Sequence, residues 1–100
     1  SRYQPVIRDI ALVVDSSMPV QEIIDRFYGE KDNNPLCHIM QTVVLFDDYR
    51  GKGLGGNEKS LAFRFTLQDI NGTLQDEVVE AAISAFVAAV EKDLGAKLRT

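Results

Sequence analysis

The residues most able to do chemistry fall in a single run, Asp47-Asp48-Tyr49-Arg50 followed by Gly51-Lys52-Gly53-Leu54-Gly55-Gly56. Two carboxylates beside a phenol could divide acid and base roles, but neighbours in a strand point to opposite faces, so Asp47 and Asp48 are read as strand-end groups that bind turn amides. The glycines satisfy G-x-G-x-x-G, whose phosphate-cradling mechanism needs a helix N-terminus directly after them. Lys59 to Leu67 instead alternates like a strand, which leaves the glycines as a flexible hairpin turn. Cys37 and His38 are the only residues of their kinds. Zinc would have to recruit carboxylates for its remaining ligands, and a Cys-His nucleophilic pair would have to join two diverging strand neighbours. Ordinary strand packing is expected there, with no metal site and no catalytic residue.

Charge points to the same region. The chain of 100 residues carries a net −4, which does not by itself suggest a nucleic-acid binder. Between Tyr49 and Arg64, however, Arg50, Lys52, Lys59 and Arg64 face only Glu58, a local basic patch on an acidic domain. The bland alternative is a solvated hairpin, since loops are usually polar.

The elements that must position these residues follow from periodicity. From Val6 to Val14, Ile10, Leu12 and Val14 recur at period two, a strand with one better-buried face. Pro19 opens a segment in which Val20, Ile23, Ile24 and Phe27 recur at helical spacing, and this helix is predicted to end near Gly29. A loop over Lys31 to Pro35 follows. Leu36 to Tyr49 and Glu58 to Gln68 read as two strands of an antiparallel hairpin, the second with Leu61, Phe63, Phe65 and Leu67 on one face and Ser60, Ala62, Arg64 and Thr66 on the other. Thr73-Leu74-Gln75-Asp76 matches the capping pattern for a helix with the stripe Val79, Ile83, Phe86, Val87, Val90 and Leu94, stopped by Gly95. A short last strand is predicted within Ala96 to Arg99.

The order β-α-β-β-α-β is the ferredoxin-like split βαβ arrangement of the α+β class: a four-stranded antiparallel sheet with both helices on one face. The predicted core is Ile10, Leu12, Phe63, Phe65, Ile83, Phe86 and Val90. The open face is the natural place for a ligand, and Tyr49 is its best stacking platform should RNA bind. A 45% hydrophobic composition fits one globular domain, and no apolar run approaches the roughly 20 residues of a membrane span. Ser1 to Gln4 do not read as a secretory signal, and a lone cysteine fits a reducing compartment, so a cytoplasmic protein is expected.

Five blocks then carry a resemblance across almost the whole chain: Arg8 to Ala11, Leu45 to Gly53, Lys59 to Ala62, Thr73 to Glu77 and Gly95 to Arg99. Together they resemble the ferredoxin-fold anticodon-binding domain found at the C-terminus of bacterial phenylalanyl-tRNA synthetase beta subunits. The resemblance implies that residues 1–100 are a C-terminal piece of a longer chain, in a cytoplasmic ligase of two alpha and two beta subunits that uses ATP and magnesium. It implies the tRNA(Phe) anticodon stem-loop as partner and the alpha subunit as the carrier of the aminoacylation site, with no cofactor in this domain. The family's RNA contacts fall here on Ala11, Asp47, Tyr49, Ser60 and Arg99, and Arg50, Lys52 and Arg64 of the basic patch are candidate phosphate contacts beside them. Asp48 stands where the family is commonly apolar. Val43 and Leu45 share parity with Asp47 and Tyr49, so a bulge or strand end must turn the latter pair if they face RNA. The competing class is a protein–protein assembly module of the same fold, which would lack the steep salt dependence of phosphate binding. Purified residues 1–100 should give no ATP–pyrophosphate exchange, and exchange that survives removal of host enzymes would contradict this reading.

Overall fold

The computed structural model describes residues 4–100. Strand β1 (Val6–Asp15) leads to helix α1 (Val20–Asn33), a single 3-10 turn (Pro35–Cys37) and the hairpin of β2 (Met40–Tyr49) and β3 (Glu58–Leu67). Helix α2 (Asp76–Leu94) and strand β4 (Lys97–Leu98) complete the chain. The sheet order is β2-β3-β1-β4 with every neighbouring pair antiparallel, the ferredoxin-like arrangement.

Period-two alternation in β1 and β3 decides which face meets the helices. Leu12, Val14, Leu61, Phe63, Phe65 and Leu67 join Ile23 and Phe27 of α1 and Val79, Ala82, Ile83, Phe86, Val87 and Val90 of α2 in one buried cluster. At its centre the rings of Phe27, Phe65 and Phe86 lie 5.4–6.0 Å apart. Tilted and edge-on aromatic packing of this kind adds to simple burial. An ion pair from Arg26 to Asp93 ties α1 to α2 outside that cluster.

Several boundaries differ from the sequence reading. Helix α1 passes through Gly29 and ends only at Asn33, because a glycine weakens a helix by about 1 kcal/mol without breaking it. Pro35 is the effective stop. It holds Asn34 extended, while the Asn34 amide closes the last turn on the Glu30 carbonyl and its side chain accepts from the Leu36 amide. Leu36 and Cys37 therefore belong to the 3-10 turn and β2 starts at Met40, not Leu36. Thr73 caps nothing: α2 begins at Asp76 behind Gln75, with Asp76 and Glu77 matching the positive end of the helix dipole. Gly95 does stop the helix, at φ 67°. Beyond it, Ala96 turns into the core and β4 pairs only with Leu12 and Val13. Ile10 is consequently half-buried rather than enclosed, and it lines an open cavity of about 480 Å³ with Arg8, Ile83, Val87 and Leu98.

Truncating Phe86 would empty the contact of both helices with the sheet. Phe86→Ala is expected to destabilise the fold by about 3–5 kcal/mol in chemical denaturation, and a loss below about 1 kcal/mol would contradict this packing.

Candidate nucleic-acid interface

The site begins with one unpaired residue. Leu45 lies opposite Phe63, yet Asp47 lies opposite Ala62, so Phe46 is an extra residue in β2. Ahead of this bulge the odd-numbered Val43 and Leu45 pack toward the helices. After it, Asp47 and Tyr49 pair with Ala62 and Ser60 and turn to the helix-free face. Asp48 falls opposite Leu61, on the other face, where its carboxylate holds Arg50 at 3.3 Å. The two aspartates thus diverge, and the charge of Asp48 is directed away from the site.

Two cross-strand rows collect the five residues singled out from the sequence. Ala11, Ala62 and Asp47 form the first, and the Arg99 amide donates to the Ala11 carbonyl at its far end (2.9 Å). Lys97, Val13, Ser60 and Tyr49 form the second. From β4 to β2 the backbones are about 14 Å apart, three strand spacings. The guanidinium carbon of Arg99 nevertheless lies 5.1 Å from the centre of the Tyr49 ring. The small side chains of Ala11, Ala62 and Ser60 allow that reach across the floor between them.

The glycine hairpin closes over one end of this face. The Tyr49 hydroxyl donates to the Lys52 carbonyl (3.0 Å), and a Cβ at Gly51 would come within 3.3 Å of that hydroxyl. Gly51 and Gly53 take φ values of 142° and 88°, so glycine is required there for conformation as well as for space. Glu58 anchors the hairpin by accepting from the Gly55 amide (2.8 Å) and pairing with Lys97 (3.4 Å), and the Gly55 bond followed by Lys97 keeps its carboxyl below the usual range. Between hairpin and β4 lies a cavity of about 430 Å³, lined by Val13, Gly53, Leu54, Lys97 and Arg99. Val13 and Ser60 are buried although they point to the helix-free face. Ser60, at 3% exposure, meets a ligand only after the side chains above it part.

Few cations here are unpaired. Arg64 donates Nε and Nη2 to the two oxygens of Asp9, its partner on β1, at 2.9 Å each. Arg50 is held by Asp48. Lys59, counted in the basic patch, is buried on the helix side opposite Val14. Among the described residues, Lys52 and Arg99 are the cations of this face without a carboxylate partner. Sequence reasoning missed the Asp9–Arg64 pair and the Phe46 ring beneath Arg64. Both depend on the register between strands far apart in the chain.

Cys37 supplies no chemistry to this face. It is buried in the 3-10 turn rather than in a strand, its thiol directed at the Ala82 carbonyl and pushed up by burial, while His38 is exposed. Among the described residues no group of three or more His, Cys, Asp or Glu converges, and no helix is long and apolar enough to cross a membrane.

A small-residue floor flanked by an aromatic, a carboxylate and an unpaired arginine has the composition of a surface for unstacked bases. Comparison with known proteins gives it a family: residues 1–99 match the ferredoxin-fold anticodon binding domain. The chain belongs to that family. It is 48% identical over 104 residues to the phenylalanine–tRNA ligase beta subunit of Burkholderia lata, and 43% identical over 99 residues to that of Dechloromonas aromatica. Each alignment covers 99% of this chain but only 13% and 12% of the relative, so the chain spans about one eighth of the length of these ligase subunits. The Ralstonia nicotianae beta subunit is 46% identical over 102 residues, covering 98% of this chain and 13% of its own length.

In this anticodon binding domain the Asp9 carboxyl is held below the ordinary aspartate range, chiefly by its hydrogen bonds to Arg64. A depressed folded value means that the pair's stabilisation is present above the unfolded value of about 4 and is lost as pH falls through the folded one. Carboxyl-carbon NMR should place the Asp9 midpoint below that of exposed aspartates, and Arg64→Gln should raise it toward them. An Asp9 midpoint unmoved by the substitution would contradict the pairing.

Proposed function

We propose that the helix-free face binds the anticodon stem-loop of tRNA(Phe), as one domain of the beta subunit of a cytoplasmic phenylalanine–tRNA ligase. The observation that carries this reading is the convergence of Ala11, Asp47, Tyr49, Ser60 and Arg99 in two adjacent rows of the family's open sheet face. Asp47 accepts and cannot donate, so it favours the amino or imino edge of a base and repels phosphate. A base therefore enters edge first with its backbone outward, toward Lys52 and Arg99. Tyr49 offers its ring once Arg99 swings from it to a phosphate, an exchange that no carboxylate opposes. Ala11 leaves room for a close approach, and Ser60 adds a hydroxyl at the floor. Arg50 and Arg64 reach RNA only by sharing their carboxylates.

Phenylalanine activation with ATP and magnesium belongs to the parent enzyme of two alpha and two beta chains. The residues of this chain do not fit those groups: the glycine loop leads into β3 instead of a helix N-terminus. The domain's contribution is to hold and orient tRNA while the alpha subunit performs the transfer.

The test is tRNA titration of the assembled ligase at several salt concentrations. Tyr49→Ala should weaken binding at least several-fold, since a stacked base is worth about 1–3 kcal/mol. Tyr49→Phe, which loses only the bond to the hairpin, should retain most of that affinity. Arg99→Ala should reduce the salt slope by roughly 0.7 to 1 unit if it neutralises one phosphate. Unchanged affinity and slope in folded Tyr49→Ala and Arg99→Ala proteins would favour the assembly-module reading instead.

A further inference from the structure

The helix-free face carries a second aromatic–arginine pair beyond the five-residue patch. The guanidinium carbon of Arg64 lies over the Phe46 ring, 4.8 Å from its centre. Phe46 is 48% exposed, an unusual position for a phenylalanine, and Val44 and Ile7 beside this pair are also exposed. Phe46 follows Val44 onto the open face by the alternation of the strand, and the bulge then keeps Asp47 on that face as well.

The two pairs differ in how they are held. Arg99 lies over Tyr49 with no carboxylate to fix it, so it is free to exchange the ring for a phosphate. Arg64 is locked: both oxygens of Asp9 grip Nε and Nη2, which fixes the guanidinium plane and leaves Nη1 unspent. A locked, half-exposed guanidinium neutralised by its own carboxylate is poorly suited to a phosphate. It is well suited to stacking, because bases land on arginine planes as readily as on aromatic rings.

We infer that Phe46 and Arg64 form a second stacking subsite, for an unpaired nucleobase flanking the one at Tyr49, with Asp9 as the positioning residue that holds the shelf level. This rests on the anticodon reading and extends its footprint. Phe46 and Tyr49 are three residues apart on β2, about 10 Å along the strand, which suits splayed nucleotides of a loop and not two bases stacked directly on each other. Asp47 and Ala62, paired across the two strands, lie between the two arginine–aromatic pairs. Nη1 is then available to a base edge or a ribose hydroxyl.

The experiment uses the full-length ligase that contains this segment, titrated with tRNA(Phe) whose loop nucleotides carry 2-aminopurine one at a time, a base whose fluorescence is quenched by stacking. Phe46→Leu, which keeps an apolar group at the bulge, should weaken binding at least about five-fold, with the salt slope unchanged, and should relieve quenching at a nucleotide other than the one released by Tyr49→Ala. Phe46→Tyr should restore both readouts. Asp9→Asn should weaken the same quenching without touching the Tyr49 signal. If Tyr49→Ala weakens binding and Phe46→Leu does not, the second subsite is wrong and the anticodon reading stands. If neither matters, the anticodon reading itself fails. A lower salt slope in Arg64→Gln, with quenching intact, would make Arg64 a phosphate contact and overturn the stacking role. Loss of subunit assembly in Phe46→Leu, with tRNA affinity retained, would make the patch a protein contact and overturn it equally.

Discussion

The extra residue at Phe46, the second of two register shifts in β2, sets which chemistry this domain presents. In a regular strand Tyr49 and Asp47 would follow Val43 and Leu45 to the helix side of the sheet, away from Ala62, Ser60 and Arg99. An earlier shift at Gln41 moves the core side from Met40 to Val43 and Leu45, and the bulge at Phe46 reverses the alternation again once that core-forming half is complete. The apolar half then packs against β3 and the helices, and the polar half is delivered to the open face with Ala62 and Ser60. From that face the Tyr49 hydroxyl also donates to the Lys52 carbonyl of the hairpin.

The electrostatics are those of a recognition surface more than of a strong RNA binder. The net charge is −4, and Arg50 and Arg64 are each neutralised locally by Asp48 and Asp9. In the proposed reading Lys52 and Arg99 are left to meet phosphates, which limits the counterion-release contribution to a few contacts. In that reading the base-facing groups, Asp47 and the two aromatics, carry the discrimination. Arginine over an aromatic ring on either side of Asp47 gives the face its shape before any ligand arrives.

The fold was legible where burial follows a simple period. Phe63 and Phe65 on the helix side, the α2 stripe and the Gly95 stop all come from alternation, helical spacing and one left-handed residue. Local signals misled where tertiary packing competes with them: Gly29 lies inside α1 because its neighbours Phe27 and Ile23 are held in the core, and Thr73 precedes the helix because Leu74 packs against that core instead. The need for a bulge or a strand end was readable from the parity conflict of Leu45 with Asp47, although the choice of a bulge and its position at Phe46 were not. The Asp9–Arg64 pair lay beyond sequence reasoning altogether, for a one-residue change in the β1–β3 register would separate the two side chains onto opposite faces.

The proposed function requires that RNA meets the sheet and not the helices. The direct measurement is a backbone amide chemical-shift titration of the isotopically labelled domain with the anticodon stem-loop of tRNA(Phe). The account expects the largest changes at Ala11, Asp47, Tyr49, Ser60 and Arg99, with smaller ones at Phe46 and Arg64 and none on the outer faces of α1 and α2. Changes concentrated on those helix faces, with the β2 and β3 residues unmoved, would contradict it.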